Sequence, residues 1–188
     1  MRDLIVTENI TLDGVIDATG GWFAPAAGPD QSDQVEAVRA QFAACDAVVF
    51  GRKTFEEMRG YWPTVVDTDT TGVAEYLNKV HKYVPSRTMT EPGWDNSTVL
   101  SGPLADEIRA LKAAPGNDIV VTGSISVVHQ LVAAGMVDEF RLFTHPVVLG
   151  RGARLFPDGT AIPELRLAET TAFRSGVVLL RYRAGKGR

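Results

Sequence analysis

Two segments of this 188-residue chain place a glycine between an apolar strand and a helix start: Val48-Val49-Phe50-Gly51-Arg52-Lys53-Thr54 and Ile119-Val120-Val121-Thr122-Gly123-Ser124. A helix N-terminus offers unpaired backbone N–H groups and the positive end of the helix dipole, so it suits a phosphate. Glycine lets a ligand come close to the main chain. In a parallel sheet both turns lie at the carboxyl edge, where open α/β folds bind ligands. Two such turns side by side can hold one diphosphate from both sides. Arg52 and Lys53 add charge-assisted donors to the first.

Other residues have two readings each. Asp13, next to Gly14, either shapes a turn or supplies an acid to the chemistry. Asp33 either favours the dipole of the helix it starts or donates a proton. Trp22 either anchors its loop or forms part of a substrate wall. Asp138-Glu139 is expected to open a strand with solvated carboxylates. Several function classes are disfavoured. No Gly-x-Gly-x-x-Gly follows a strand, no Walker A run occurs, and no Gly-x-Ser-x-Gly elbow occurs. Cys45 is the only cysteine, which excludes an intrachain disulfide or a cysteine-based metal cluster, and the three histidines lack metal-ligand spacing. A formal net charge of -4 argues against a duplex-binding surface, so any phosphate-binding field has to be local.

The positioning elements follow from periodicity. Residues 4–7, 47–50, 82–84, 98–100 and 119–122 are short apolar runs alternating with amphipathic stretches, the pattern of βαβ units around a buried, mostly parallel sheet. The first is expected at the sheet centre. Residues 139–144, 165–173 and 177–183 are strand-like with no helix between them, and Arg174-Ser175-Gly176 reads as a hairpin turn, so an antiparallel C-terminal edge is predicted. Val35, Val38 and Phe42 mark one helix face. Leu104, Ile108 and Leu111 behind Pro103 mark another, and Ser124 is expected to cap a third that ends at Gly135. Residues 17–29, rich in Gly and Pro around Trp22 and Phe23, read as a long functional loop. Residues 1–183 are expected to form one domain and 184–188 a frayed tail. No membrane span and no signal peptide is evident, and a soluble cytoplasmic protein is expected.

Taken in order, Thr11-Leu12-Asp13-Gly14, Gly51-Arg52-Lys53-Thr54-Phe55-Glu56, Val84-Pro85-Ser86-Arg87-Thr88, Gly123-Ser124, Val137-Asp138-Glu139-Phe140 and residues 146–152 with Leu155-Phe156 resemble the dihydrofolate reductase family. Within it they are most similar to the reductase domain of bacterial riboflavin biosynthesis, in its free-standing form. The resemblance implies a three-layer α/β/α fold around a mixed sheet and an NADPH cofactor. By that resemblance Gly51, Arg52, Lys53 and Thr54 hold the diphosphate, joined by Gly123, Ser124 and Ile125. Ser86 and Arg87 meet the adenosine 2′-phosphate. Ile5 and the loop opened by Asp13-Gly14 border the nicotinamide, with Trp22 near the substrate. Asp33, or next Glu36, lies nearest to the family's helix-borne acid, though not in register with it. The chain has Gly123-Ser124 where the family often has Gly-Gly, and it lacks the zinc deaminase that accompanies the riboflavin enzyme.

The expected function is therefore an NADPH-dependent reductase passing hydride to a small pyrimidine- or pterin-like heterocycle or to a carbonyl. The alternative is a non-catalytic nucleotide-binding module of the same fold. A homodimer through the antiparallel edge is expected by analogy with the family.

Overall fold

The structure is a computed structural model that describes residues 1–23, 30–162 and 164–185. The central strands are β1 (Leu4–Thr11), β2 (Cys45–Val49) and β5 (Asp118–Val121), and their Val, Ile and Leu side chains are buried on both faces. That is what a parallel sheet covered by helices on both sides requires. With β3 (His81–Pro85), β4 (Ser97–Leu100), β6 (Glu139–His145), β7 (Leu165–Ala172) and β8 (Val178–Ala184) they form one eight-stranded sheet in the order β4-β3-β2-β5-β1-β6-β8-β7. The pairings from β4 through β6 are parallel, and β6-β8 and β8-β7 are antiparallel. The hairpin between β7 and β8 turns at Gly176, whose φ of 85° is left-handed.

Alternate residues of the same strands feed two separate cores. Leu4, Val6, Val49, Ile119 and Val121 pack against Ile108 of α4 (Leu104–Ala113) and against Val127, Val128 and Leu131 of α5 (Ile125–Ala133). On the other face Ile5, Val48 and Val120 pack against Phe55 of α2 (Arg52–Tyr61) and Leu77 of α3 (Val73–Lys79). The period of two in each strand thus produces three layers, α/β/α. Helix α1 (Ser32–Ala43) has no fully buried residue. It leans Ala37 and Val38 on Phe143, Phe173, Val177 and Leu179, and Phe42 stacks on Tyr76 with ring centroids 4.0 Å apart.

Two polar groups inside the fold are structural. The Lys82 ammonium donates to the carbonyls of Leu77 (2.7 Å) and Val80 (2.9 Å), closing the end of α3, and lies 4.6 Å from the Trp94 ring centroid. Glu139 begins β6 as expected, but it is not solvated. It is 1% exposed and accepts hydrogen bonds from Arg141 (2.7 Å) and, across to β8, Arg181 (2.9 Å). Burial alone would raise its pKa, but the two arginines hold it below the usual glutamate value. The pair Glu139–Arg181 therefore pins the point where the sheet changes from parallel to antiparallel.

Phe55 is the only fully buried residue of α2, so this one ring seats the helix whose N-terminus faces the candidate site. Phe55→Ala is expected to lower stability by about 3–5 kcal/mol, read as a fall in the urea midpoint at unchanged slope.

Candidate functional site

The register of the two neighbouring central strands builds the site. Val49 of β2 pairs with Val121 of β5. Gly51 and Gly123 each follow two residues later, so both glycine turns emerge side by side at the carboxyl edge. The Gly51 N–H donates to Ser124 Oγ at 2.6 Å, and Thr54 Oγ1 donates to the Gly123 carbonyl at 3.3 Å. Both places are tight for a side chain, and at Gly123 the left-handed backbone favours glycine as well. A Cβ on Gly51 would sit 3.1 Å from Ser124 Cβ and from Val127 Cγ2. One on Gly123, whose φ is 68°, would sit 3.1 Å from Thr54 Cγ2.

Ser124 does not cap α5 with its side chain, contrary to expectation, because its hydroxyl is taken by Gly51. The Ser124 carbonyl closes the first turn instead, accepting from the amides of Val127 and Val128. The N–H groups of Ile125 and Ser126, like those of Arg52 and Lys53, belong to first turns that have no intrahelical partner to offer.

Two clefts share this edge. One, of about 620 Å³, is bounded by Gly51–Thr54, Gly123–Ser126, Asp17 and His129. The other, of about 580 Å³, runs from Gly51, Arg52 and Lys53 to Ser86, Arg87 and the Gly102 turn. Of the residues singled out in the sequence, Gly51, Arg52, Lys53, Thr54, Ser86, Arg87, Gly123, Ser124 and Ile125 are all brought to this edge. Arg52 is paired with Glu56 on its own helix at 3.1 Å, and both side chains are largely exposed. Such an exposed pair is worth about 0.3–0.5 kcal/mol, so it holds Arg52 only weakly. Arg87 is exposed and makes no ion pair among the described residues. Ser86 Oγ accepts from the amide of Met89 at 3.0 Å and so holds this turn in shape.

The other four candidates, Ile5, Asp33, Asp13 and Trp22, line neither cleft. Ile5 lies in the core under α2 with 0% exposure and lines neither cleft, because the alternation of β1 turns it inward. Asp33 accepts from the Arg174 backbone N–H at 3.0 Å and so ties α1 to the β7–β8 hairpin; this bond lowers its pKa. Asp13 accepts from Thr11 Oγ1 (2.6 Å) and from the Gly150 N–H (2.7 Å), latching residues 149–150 to the end of β1. Those hydrogen bonds, the Thr11 one foremost, lower its pKa to about 2. Both aspartates are therefore ionised at neutral pH, and neither is a ready proton donor where it stands. Trp22 donates from Nε1 to the Asp17 carbonyl (2.7 Å) and meets His145 edge-on at 5.3 Å, while His145 Nε2 pairs with Asn9 Oδ1 at 2.9 Å. Burial lowers the pKa of His145, favouring the neutral ring. The rest of the expected loop, residues 24–29, and the tail residues 186–188 lie outside the described residues.

One residue went unread. Glu8 extends β1 beyond the expected four residues, is 5% exposed, and accepts the Gly123 N–H on Oε1 at 2.8 Å. Burial raises its pKa to about 8, with the Gly123 bond pulling the other way. The available signal was a charged residue at the same alternation as Leu4, Val6 and Ile10 of β1.

The model of the RibD C-terminal domain family matches residues 2–179. The chain belongs to this family. Among curated relatives, YyaP of Bacillus subtilis (strain 168), an uncharacterized protein, is 35% identical over 96% of this chain and 94% of its own. YwjB of the same organism, also uncharacterized, is 26% identical over 97% and 99%. Two crystal structures share the RibD C-terminal domain fold with this chain. A putative riboflavin biosynthesis protein from Shewanella sp. PV-4 has a TM-score of 0.76 at 21% identity, covering 98% of this chain and 100% of that one. A pyrimidine reductase-like protein from Corynebacterium diphtheriae has a TM-score of 0.63 at 17% identity, covering 99% and 93%. The eight-stranded mixed sheet is thus this family's fold. No helix among the described residues is long and apolar enough to cross a membrane.

Ser124→Ala removes the acceptor of the Gly51 amide and leaves that N–H unpaired. A loss of about 1–2 kcal/mol is expected, measured by chemical denaturation, with faster hydrogen exchange at the Gly51 amide.

Proposed function

We propose that this RibD C-terminal domain protein is an NADPH-dependent reductase. The observation that carries the reading is the pair of glycine turns tied by the Gly51–Ser124 hydrogen bond, opening on one cleft beside a second that holds Arg87. The donor set fits the cofactor. The first-turn amides of α2 and α5 suit a diphosphate approached from both sides. Arg52 and Lys53 offer charge at its flank, and Ser86 and Arg87, across the shared wall, offer a hydroxyl and a guanidinium to an adenosine 2′-phosphate. In a chain of net charge -4 this concentration of cations is local. Bound NADPH supplies the hydride chemistry, and the protein supplies orientation and electrostatics.

The substrate side is read at the adjoining ends of β1 and β6, where Asn9, His145 and Trp22 meet. A flat heterocycle of the pyrimidine or pterin kind, or a small carbonyl compound, fits an aromatic wall with amide and imidazole groups beside it. The names of the two structural relatives, riboflavin biosynthesis and pyrimidine reductase-like, support the heterocycle first. A second reading, a nucleotide-binding module without turnover, is favoured by one observation: Asp13 and Asp33 are both held ionised by other partners.

Addition of NADPH at about 1 mM is expected to raise the melting temperature, since a ligand that binds the native state stabilises it. NADH should do so less, and Arg87→Ala should weaken NADPH by about tenfold while leaving NADH nearly unchanged. Absence of any shift with NADPH contradicts the reading. Sustained NADPH oxidation with any of a panel of pyrimidines, pterins, quinones and carbonyls would exclude the non-catalytic module.

A further inference from the structure

Two acids are fully buried among the described residues, Glu8 and Glu139. Glu139 is matched by arginines, whereas Glu8 makes no salt bridge among the described residues. Among them it is hydrogen-bonded to the amide of Gly123, in the turn that the proposed function assigns to the cofactor's diphosphate. This placement follows from strand register. Val6 pairs with Val121, so Glu8 stands level with Gly123 in the turn just past the neighbouring strand.

The side chains packed around the carboxyl carry no compensating charge. By register, β6 places Leu142 beside it and β5 places Val121 on the same face, over which α5 packs Val128 and Leu131. Glu139, Arg141 and His145 of β6 belong to the opposite face, because they pair with Ile5, Thr7 and Thr11. The charged and titratable groups of the site, Asp17, Arg52, Lys53, Glu57 and His129, line the cleft itself and do not shift Glu8. A glutamine would accept the Gly123 N–H equally well at no charge cost. A carboxyl here instead makes the turn's electrostatics depend on a proton.

We propose that Glu8 is a positioning residue that couples cofactor binding to its own protonation. When neutral it orients the Gly123 turn through Oε1 and admits the diphosphate. When ionised it opposes the phosphate charge brought to the same turn. Between its pKa values in the free and the bound protein, the Glu8 carboxyl takes up as much as one proton from solvent as the cofactor binds and returns it as the cofactor leaves; well below the free value it is already neutral and none is exchanged.

The sign follows from linkage. A bound polyanion raises the Glu8 pKa further above its raised value in the free protein, so affinity is full below about pH 8 and falls above it. The same raised value means that Glu8 contributes most to stability below its unfolded pKa. That contribution is lost as pH rises through the folded one.

The inference rests on the NADPH reading, and the test separates the two. NADPH dissociation constants are measured by fluorescence at about pH 7 and about pH 9.5 for the wild type and for Glu8→Gln, which keeps the acceptor and removes the charge. The wild type is expected to weaken by about tenfold or more and Glu8→Gln by less than about twofold. Lys82, whose pKa burial lowers to about 8, is present in both proteins, so the difference between them isolates Glu8. Wild-type calorimetry near pH 8, in buffers of different ionisation enthalpy, is expected to show proton uptake on binding. This arm needs no variant to fold. Equal pH dependence in the two proteins, or binding by the wild type without proton uptake, overturns the coupling and leaves the cofactor site standing. Failure of the folded wild type to bind NADPH at about pH 7 overturns the reductase reading itself, and the coupling with it.

Discussion

The Gly51 amide and the Ser124 hydroxyl, 2.6 Å apart, join the ends of two adjacent parallel strands, and the arrangement of the site depends on that join. It is possible only because β2 and β5 are neighbours in a register that brings both glycines out at one level. Both positions are also tight for a side chain, since a Cβ on either would crowd its partner turn at 3.1 Å. Once joined, two helix N-termini point at the same space, and the fields of their unpaired amides add rather than act on separate ligands.

The acids around this positive edge are handled in two ways. Asp13 and Asp33 receive hydrogen bonds that hold them ionised, and each fastens a distant segment: residues 149–150 in one case, the β7–β8 hairpin in the other. Glu8 receives a single amide bond in an apolar setting, which leaves its charge costly. The first kind serves the fold at fixed charge. The second lies against the Gly123 turn, where the proposed cofactor would bring its charge.

Much of the fold was legible because its signals are local. The apolar runs of the central strands, the glycines that follow them and the hairpin at Gly176 each reflect a preference of a few consecutive residues. The site was legible to the same extent: turns read one at a time converge because parallel strands deliver them to one edge. What escaped depends on contacts far apart in the chain. Asp33 reads as a helix-start acid until Arg174, 141 residues away, is seen to claim it. Ser124 reads as a cap until Gly51 takes its hydroxyl. Glu139 reads as solvated until Arg181 crosses from β8. The resemblance sets Ile5 beside the nicotinamide, whereas the alternation of β1 puts it beneath α2. Glu8 falls beyond the expected end of that strand because a charged residue in a central strand is rare unless paired.

The central claim is that both glycine turns grip one diphosphate, and a crystal structure with NADP+ tests it most directly. The account predicts diphosphate oxygens within hydrogen-bond distance of first-turn amides of both α2 and α5 in the same complex, with the 2′-phosphate at Arg87. A cofactor touching only one of the two turns, or bound away from the carboxyl edge, would contradict it.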